Sequence, residues 1–550
     1  MAHAWQQGRR RPLHAEGALL CLVLALANAI KVDARPRPSG SSVLRGEVFS
    51  AEPRYWKGPE PITLCEEKYW NATLDHFAWD PPDGSATYSQ RYFLCPSFWK
   101  ASHDGEKGPI FVYLGNEADV TLYLNATGLM WEHAQDYGAL LVFVEHRYYG
   151  NSVPSGGEGK KAKQYLTTEQ ALADYAEFIS GLKCQLNATN SPVVGFGGSY
   201  GGMLAAWMRM KYPHVVDGVI AASAPIWSFL GEEPAYDTGA YYKIVTYAAS
   251  PAAGCAESCV PNVRRAWDTM LEMFKTDEGR AAVKEAMGIC DAVPMKGNAW
   301  NLINWAATPF SLFAEGSYPF PCNYLTNGGG SLPAYPMRVA CNTFLSEPMN
   351  GTDLLAGIAS AASLLYNSTG NLDCFDFLAG VNNASSVVDH LWNWQYCTEM
   401  FQPFGMDGVN DMFWDAPYNE SETIKWCVND IGALPRPLWA TTEWGGRKIH
   451  TTSNIVFSNG EYDPWRGGGV TNHESDSVTV FTIAEAGHHV DLMFSRPEDT
   501  DAIKAARAIE LTSISKWIAE ARQSRRTPQG QQGHHRVAPE HSASMKDWEL

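Results

Sequence analysis

SPVVGFGGSYGGMLAAWMRMKYP, residues 191–213, decides how the rest of the chain is read. PVVGF (192–196) is a short apolar run ending in glycines, which reads as a buried strand. Tyr200 to Lys211 reads as a helix, closed by Pro213. Between them lies Gly197-Gly198-Ser199-Tyr200-Gly201, a G-x-S-x-G match. The five-residue pattern alone is weak evidence. Its setting is stronger, because a sharp strand-to-helix turn lifts a serine hydroxyl above the edge of a sheet. The flanking glycines let strand and helix approach closely. Ser199 is therefore a candidate nucleophile.

Outward from this turn the chain alternates. PIFVYL (109–114), ALLVFVE (139–145), GVIAAS (218–223), NIVFSNG (454–460) and VTVFTIAEAG (478–487) read as further strands. Thr167 to Leu182 reads as a helix with Leu172, Tyr175, Ile179 and Leu182 on one face, and Thr167 with Gln170 fits a capping box. Another helix is expected near 500–520. Strands alternating with helices predict a mostly parallel sheet covered on both faces. From about residue 230 to 435 the pattern turns helical and irregular, as at Trp267, Met270, Leu271 and Phe274. Eight of the 12 cysteines fall there. The expectation is an α/β domain over 63–229 and 436–520, interrupted by a helical, disulfide-bearing cap over 230–435.

A serine nucleophile needs a base and an acid to orient it. In this arrangement they follow in the order Ser, Asp/Glu, His, on loops after later strands. Asp463 follows NIVFSNG, and His488 follows VTVFTIAEAG. His489 is an alternative base, and Glu461 or Asp491 an alternative acid. A zinc reading of His488, His489 and Asp491 lacks a fourth ligand, and no metal or cofactor is expected. The oxyanion hole would take the backbone N–H of Tyr200 and one from Asn116 or Glu117, in the loop after PIFVYL.

The ends and the composition bound the setting. Arg9, Arg10 and Arg11 precede an apolar run, Ala18–Ile30, followed by small residues, which predicts a signal peptide over 1–34 cut after Ala29 or Ala34. That run is too short for a comfortable membrane span, and no other stretch is long enough. Residues 35–62 read as a linker or pro-segment and 521–550 as a disordered tail. Sequons stand at Asn71, Asn125, Asn187, Asn350, Asn367, Asn383 and Asn419, in keeping with an oxidising, glycosylating secretory route. A net charge of −18 argues against nucleic acid as a partner.

Taken together, GGSYGGMLAAWMRMKYPHVVDGVIAASAPIW (197–227), VFVEHRYYGNSVP (142–154), SNGEYDPWRGGGV (458–470) and GHHVDL (487–492) closely resemble the serine peptidases that include lysosomal Pro-X carboxypeptidase and dipeptidyl peptidase II. LDHF (74–77), LTTEQALADYAEFI (166–179), YPFPCNYL (318–325) and PRPLW (435–439) extend the match. The resemblance implies an α/β-hydrolase fold with a helical cap, and exopeptidase action on peptides after proline or a small residue. It places the triad on Ser199, Asp463 and His488, and suggests Met203 and Trp465 as walls of a proline pocket. It implies disulfides Cys290–Cys374, Cys397–Cys427, and Cys341 with Cys255 or Cys259; Cys65–Cys95 is also plausible. It is compatible with a homodimer in the lysosome, a vacuole or outside the cell. YPFPCNYL and SRPEDT lean toward dipeptidyl peptidase II over Pro-X carboxypeptidase. An esterase or lipase on the same scaffold, or an inactive binding module, is the alternative.

Overall fold

The computed structural model describes residues 28–29, 55–78, 87–101, 105–154, 162–326, 328–379, 387–472 and 475–526. The rest of the signal-peptide reading, the sequon at Asn383 and the tail from residue 527 lie outside them.

Eight strands form the central sheet: β1 (Glu66–Thr73), β2 (Thr87–Cys95), β3 (Ile110–Leu114), β4 (Leu140–Val144), β5 (Val193–Gly198), β6 (Gly218–Ala222), β7 (Ile455–Gly460) and β8 (Val478–Ile483). Their spatial order is β1-β2-β4-β3-β5-β6-β7-β8. From β4 to β8 every pairing is parallel, with Val112 opposite both Val142 and Gly195, and Phe457 opposite both Ala221 and Val480. β1 and β2 pair antiparallel, as do β2 and β4. This is an α/β-hydrolase fold.

The central strands are apolar on both faces because both faces are covered. Ile110, Val112 and Leu114 of β3 pack into one core, while Phe111 and Tyr113 pack into the other. The same split places Leu140, Val142 and Val144 of β4 opposite Leu141 and Phe143. α3 (Thr168–Gln185) and α4 (Tyr200–Lys211) cover the first face; α1 (Val120–Ala126), α2 (Gly128–Tyr137) and α11 (Asp501–Arg526) cover the second.

β1 and β2 carry no strand signal in the sequence reading. Glu66, Glu67 and Asn71 of β1 are exposed, as an edge strand allows, so its run lacks the continuous apolar signature of the interior. The 478–487 run is shorter as a strand than expected. β8 stops at Ile483, and a turn with Glu485 at φ +59° precedes Ala486–Gly487, which pairs with Asn28–Ala29. The capping box at α3 is half-formed. Thr167 Oγ1 accepts from Gln170 N–H, but the Gln170 side chain turns away to Asp75 Oδ1 (2.6 Å) and His76 N–H (2.9 Å).

The described parts of two segments read as unstructured, 55–62 and 521–526, are docked. Trp56, within the 35–62 linker reading, packs on Trp131 and Phe494 with centroids 5.8 and 6.1 Å apart, and Pro61 is buried. α11 continues to Arg526, past the expected start of the tail, and Arg525 pairs with Asp217 at 2.9 Å.

Between β6 and β7 the chain is helical: α5 (Ala240–Ala248), α6 (Cys259–Met273), α7 (Asp277–Ala286), α8 (Ala299–Glu315), α9 (Gly351–Tyr366) and α10 (Val387–Thr398) are its longer elements. Cys290–Cys374 and Cys397–Cys427 form as the resemblance implies, and Cys65–Cys95 joins the ends of β1 and β2. The bridge to Cys341 comes from Cys259, which corrects the reading of Cys255 as a disulfide partner. Cys259 opens α6 on its buried face. Cys255 sits in a turn clamped by Asn342, which accepts from Ala256 N–H and donates to the Gly254 carbonyl, and its thiol donates to the Ala248 carbonyl. It is a buried free thiol, and burial pushes it up to about 12.

Candidate active site

β5 delivers Ser199 at its C-terminal end. Ser199 has φ +60° and ψ −128°, a conformation that costs a non-glycine residue about 1–3 kcal/mol and persists only where its surroundings enforce it. The enforcement is visible. Ser199 N–H donates to the Ala222 carbonyl, and Met203 N–H donates to the Ser199 carbonyl, both at 3.0 Å. A Cβ at Gly197 would lie 2.0 Å from the Gly201 carbonyl oxygen, so strand and helix meet there with no room for a side chain. Serine is a favoured helix cap, yet this one does not cap α4. Its Oγ is buried without a hydrogen-bond partner.

Because β5, β7 and β8 are parallel, the loops that follow them leave from the same sheet edge. Asp463 stands three residues beyond β7 and His488 five beyond β8. His488 Nδ1 lies 2.9 Å from Asp463 Oδ2, with both side chains fully buried. The other oxygen, Asp463 Oδ1, accepts from Trp465 N–H at 3.0 Å. A carboxylate on Nδ1 places the proton there and leaves Nε2 as the acceptor. His488 Nε2 is likewise buried and unpartnered. A Cβ at Gly198 would lie 2.5 Å from the His489 ring, so the serine turn and the histidine loop touch.

The alternatives from the sequence are otherwise engaged. His489, at φ +45°, donates its N–H to Ser223 Oγ, and burial with the neighbouring His488 holds its ring well below the usual histidine range. Glu461 accepts from Tyr247 OH and Glu485 N–H. Asp491 accepts from Ser458 Oγ at 2.5 Å.

Asn116 and Glu117 lie in the loop after β3, against the start of α4. Asn116 Nδ2 donates to Glu117 Oε2 at 2.8 Å, and Asn116 Oδ1 sits 2.9 Å from where a Cβ on Gly201 would stand. Burial raises Glu117 to about 7, against the opposing pull of its own N–H and Asn116. Met203 is buried one turn along α4 from Ser199. The Trp465 ring lies 6.4 Å from His488 and is met edge-on by Tyr241 (5.2 Å) and Phe404 (5.8 Å).

The sequence profile of the serine carboxypeptidase S28 family matches residues 72–510. The chain belongs to this family. It is a serine-type exopeptidase with peptide substrates. Human lysosomal Pro-X carboxypeptidase is 38% identical over 82% of this chain and 88% of its own length. Prolyl carboxy peptidase like protein 5 of Caenorhabditis elegans is 34% identical over 83% and 90%. Mouse thymus-specific serine protease is 26% identical over 87% and 92%. Among solved structures, an esterase from Pyrobaculum calidifontis aligns over 85% of this chain and 87% of its own at 11% identity, with a TM-score of 0.31.

Two features of this S28 site escaped the sequence reading. The first holds Tyr200, next to the serine. Its hydroxyl lies 3.1 Å from His146 Nε2, 3.0 Å from Thr168 Oγ1 and 3.0 Å from Gln395 Nε2. Burial lowers His146 to about 4, so its Nδ1–H donates to the Arg147 carbonyl and Nε2 accepts from Tyr200. Glu399 closes the network, accepting from Thr168 N–H (2.8 Å) and Gln395 Nε2 (3.0 Å). Burial and neighbouring Glu169 push Glu399 up to about 8. Gln395 and Glu399 stand four apart, a helical spacing that was visible in QYCTEM without any sign of its partner. The second feature is Glu315, the last residue of apolar α8, whose Oε1 accepts from Trp465 Nε1 at 3.0 Å and Tyr241 OH at 3.1 Å. Among the described residues no helix is long and apolar enough to cross a membrane.

Proposed function

We propose that this chain is a carboxypeptidase that releases the residue following a proline at the C-terminal end of a peptide. Ser199 is the nucleophile, His488 the general base and Asp463 the residue that orients it. The pairing of His488 with Asp463 at 2.9 Å, on loops leaving the sheet edge that also presents the buried, unpartnered Ser199 hydroxyl, carries the reading. His488 Nε2 takes the Ser199 proton as Oγ attacks the prolyl carbonyl, and then gives it to the departing amine. Water, deprotonated by the same nitrogen, releases the acyl group and restores the serine. The N–H of Tyr200 faces the oxyanion, with that of Asn116 as second donor. Glu117 N–H turns back on its own carboxylate, which favours Asn116 for that part. Met203 and Trp465 wall the proline pocket.

The choice of terminus departs from the sequence lean toward dipeptidyl peptidase II. Relatives named Pro-X carboxypeptidase, 36–38% identical, support the carboxyl end. A secretory route to an acidic compartment accords with the sequons and with the lysosomal relatives. A dimer is left to sedimentation of the purified protein.

The test offers two forms of one peptide that begins Lys-Pro and ends Pro-Phe, one acetylated at its N-terminus and one amidated at its C-terminus. Mass spectrometry at pH 5 is expected to show loss of one Phe from the acetylated peptide alone. Release of an N-terminal dipeptide from the amidated peptide alone would reverse the assignment.

A further inference from the structure

Glu315 is an unusual residue for its place. α8 is apolar along nearly its whole length, and its final residue is a fully buried acid. A helix C-terminus carries partial negative charge, which disfavours a carboxylate there. The groups that face it are Asp463 and Trp465 from the turn after β7, Tyr241 from α5, Tyr318 from the following loop, and the main chain of His488. Among the described residues no lysine or arginine bonds to it; the neighbouring cation, Arg466, acts on Asp463 and Glu461. Burial and Asp463 accordingly hold its carboxyl well above the usual range.

Its contacts nonetheless join the cap to both working parts of the site. Its Oε1 accepts from the Trp465 indole and from Tyr241, which itself packs edge-on against that indole. Its main-chain carbonyl accepts from His488 N–H at 3.1 Å. Trp465 in turn holds Asp463 through its N–H.

We propose that Glu315 is a positioning residue that sets specificity: its side chain holds the Trp465 indole while its main-chain carbonyl holds His488 N–H, so that pocket wall and base share one frame and the preference for proline before the scissile bond is enforced. This rests on the proposed triad and pocket. A carboxylate here would add a second negative charge beside Asp463, and the acid limb of kcat/KM reads that charge.

The experiment compares wild type, Glu315→Ala and Glu315→Gln on matched acetyl peptides ending in Pro-Phe and Ala-Phe, across pH 4–8. Glu315→Ala is expected to raise KM for the proline peptide about tenfold, to change kcat by less than about threefold, and to cut the Pro/Ala preference about tenfold, the scale of one lost buried hydrogen bond. Glu315→Gln keeps the acceptor and adds no charge. It is expected to restore both values to within about threefold and to leave the acid limb of kcat/KM in place. An unchanged Pro/Ala preference in the alanine variant would overturn the proposal. So would a glutamine variant that behaves like alanine, does not fold, or shifts the acid limb by about one pH unit. If the alanine variant does not fold, the glutamine profile decides alone. Failure of the underlying reading looks different: wild type itself would then show no Ser199-dependent release of Phe.

Discussion

The sheet edge and the helical insertion build the site in different ways. At the sheet edge, Ser199, Asp463 and His488 each follow a parallel strand within five residues, so backbone topology alone converges them. In the insertion, Glu315, Gln395 and Glu399 reach the site from the ends of helices held by long-range disulfides and aromatic packing. In the proposed reading the first region supplies the chemistry and the walls of the proline pocket, and the second holds those parts in place.

The comparison breaks most sharply at the nucleophile. Ser199→Ala or His488→Ala is expected to lower kcat about 10⁶-fold with no change in the thermal melt, since each group works only with the other. Asp463→Asn should cost about 10⁴-fold, because the amide favours the wrong histidine tautomer. Steady-state turnover of the acetyl Pro-Phe peptide checks both. Changes in the insertion should be smaller. Cys259→Ser, which opens a bridge spanning 82 residues, is expected to destabilise the protein by about 2–4 kcal/mol in urea unfolding, whereas Cys255→Ser should cost less than about 1 kcal/mol. Tyr200→Phe removes the hydroxyl that binds His146, Thr168 and Gln395, and a fall of about tenfold in kcat with little change in KM would show that the network steadies the oxyanion donor.

The smallest effect concerns pH. Glu399 is raised in the folded state, from the ordinary carboxyl range to about 8. A raised acid favours the protonated fold, so its contribution is full below about 4.5 and is lost as pH rises through 8. Melting temperature should therefore fall from pH 5 to pH 8, and Glu399→Gln should reduce that fall by about 2 °C. An unaltered slope would mean that Glu399 is ionised in its network.

The same contrast explains what could be read from the sequence. The interior strands were legible because PIFVYL and ALLVFVE are buried on both faces and need no outside information. Ser199, Asp463 and His488 were legible because each sits at a fixed offset from such a strand. β1 was not, since its exposed glutamates follow an edge position that only the finished sheet defines. The choice between Cys255 and Cys259 depended on Asn342, which bonds Ala256 from 86 residues away and clamps the Cys255 turn. Glu315 and Trp465 are 150 residues apart, and no local pattern announces their bond.

The most direct measurement of the central claim is labelling by a fluorophosphonate probe at pH 5 and 7, followed by peptide mapping. The account predicts one adduct, on Ser199, lost in Ser199→Ala and greatly slowed in His488→Ala. No adduct on folded protein, or an adduct on another serine, would contradict it.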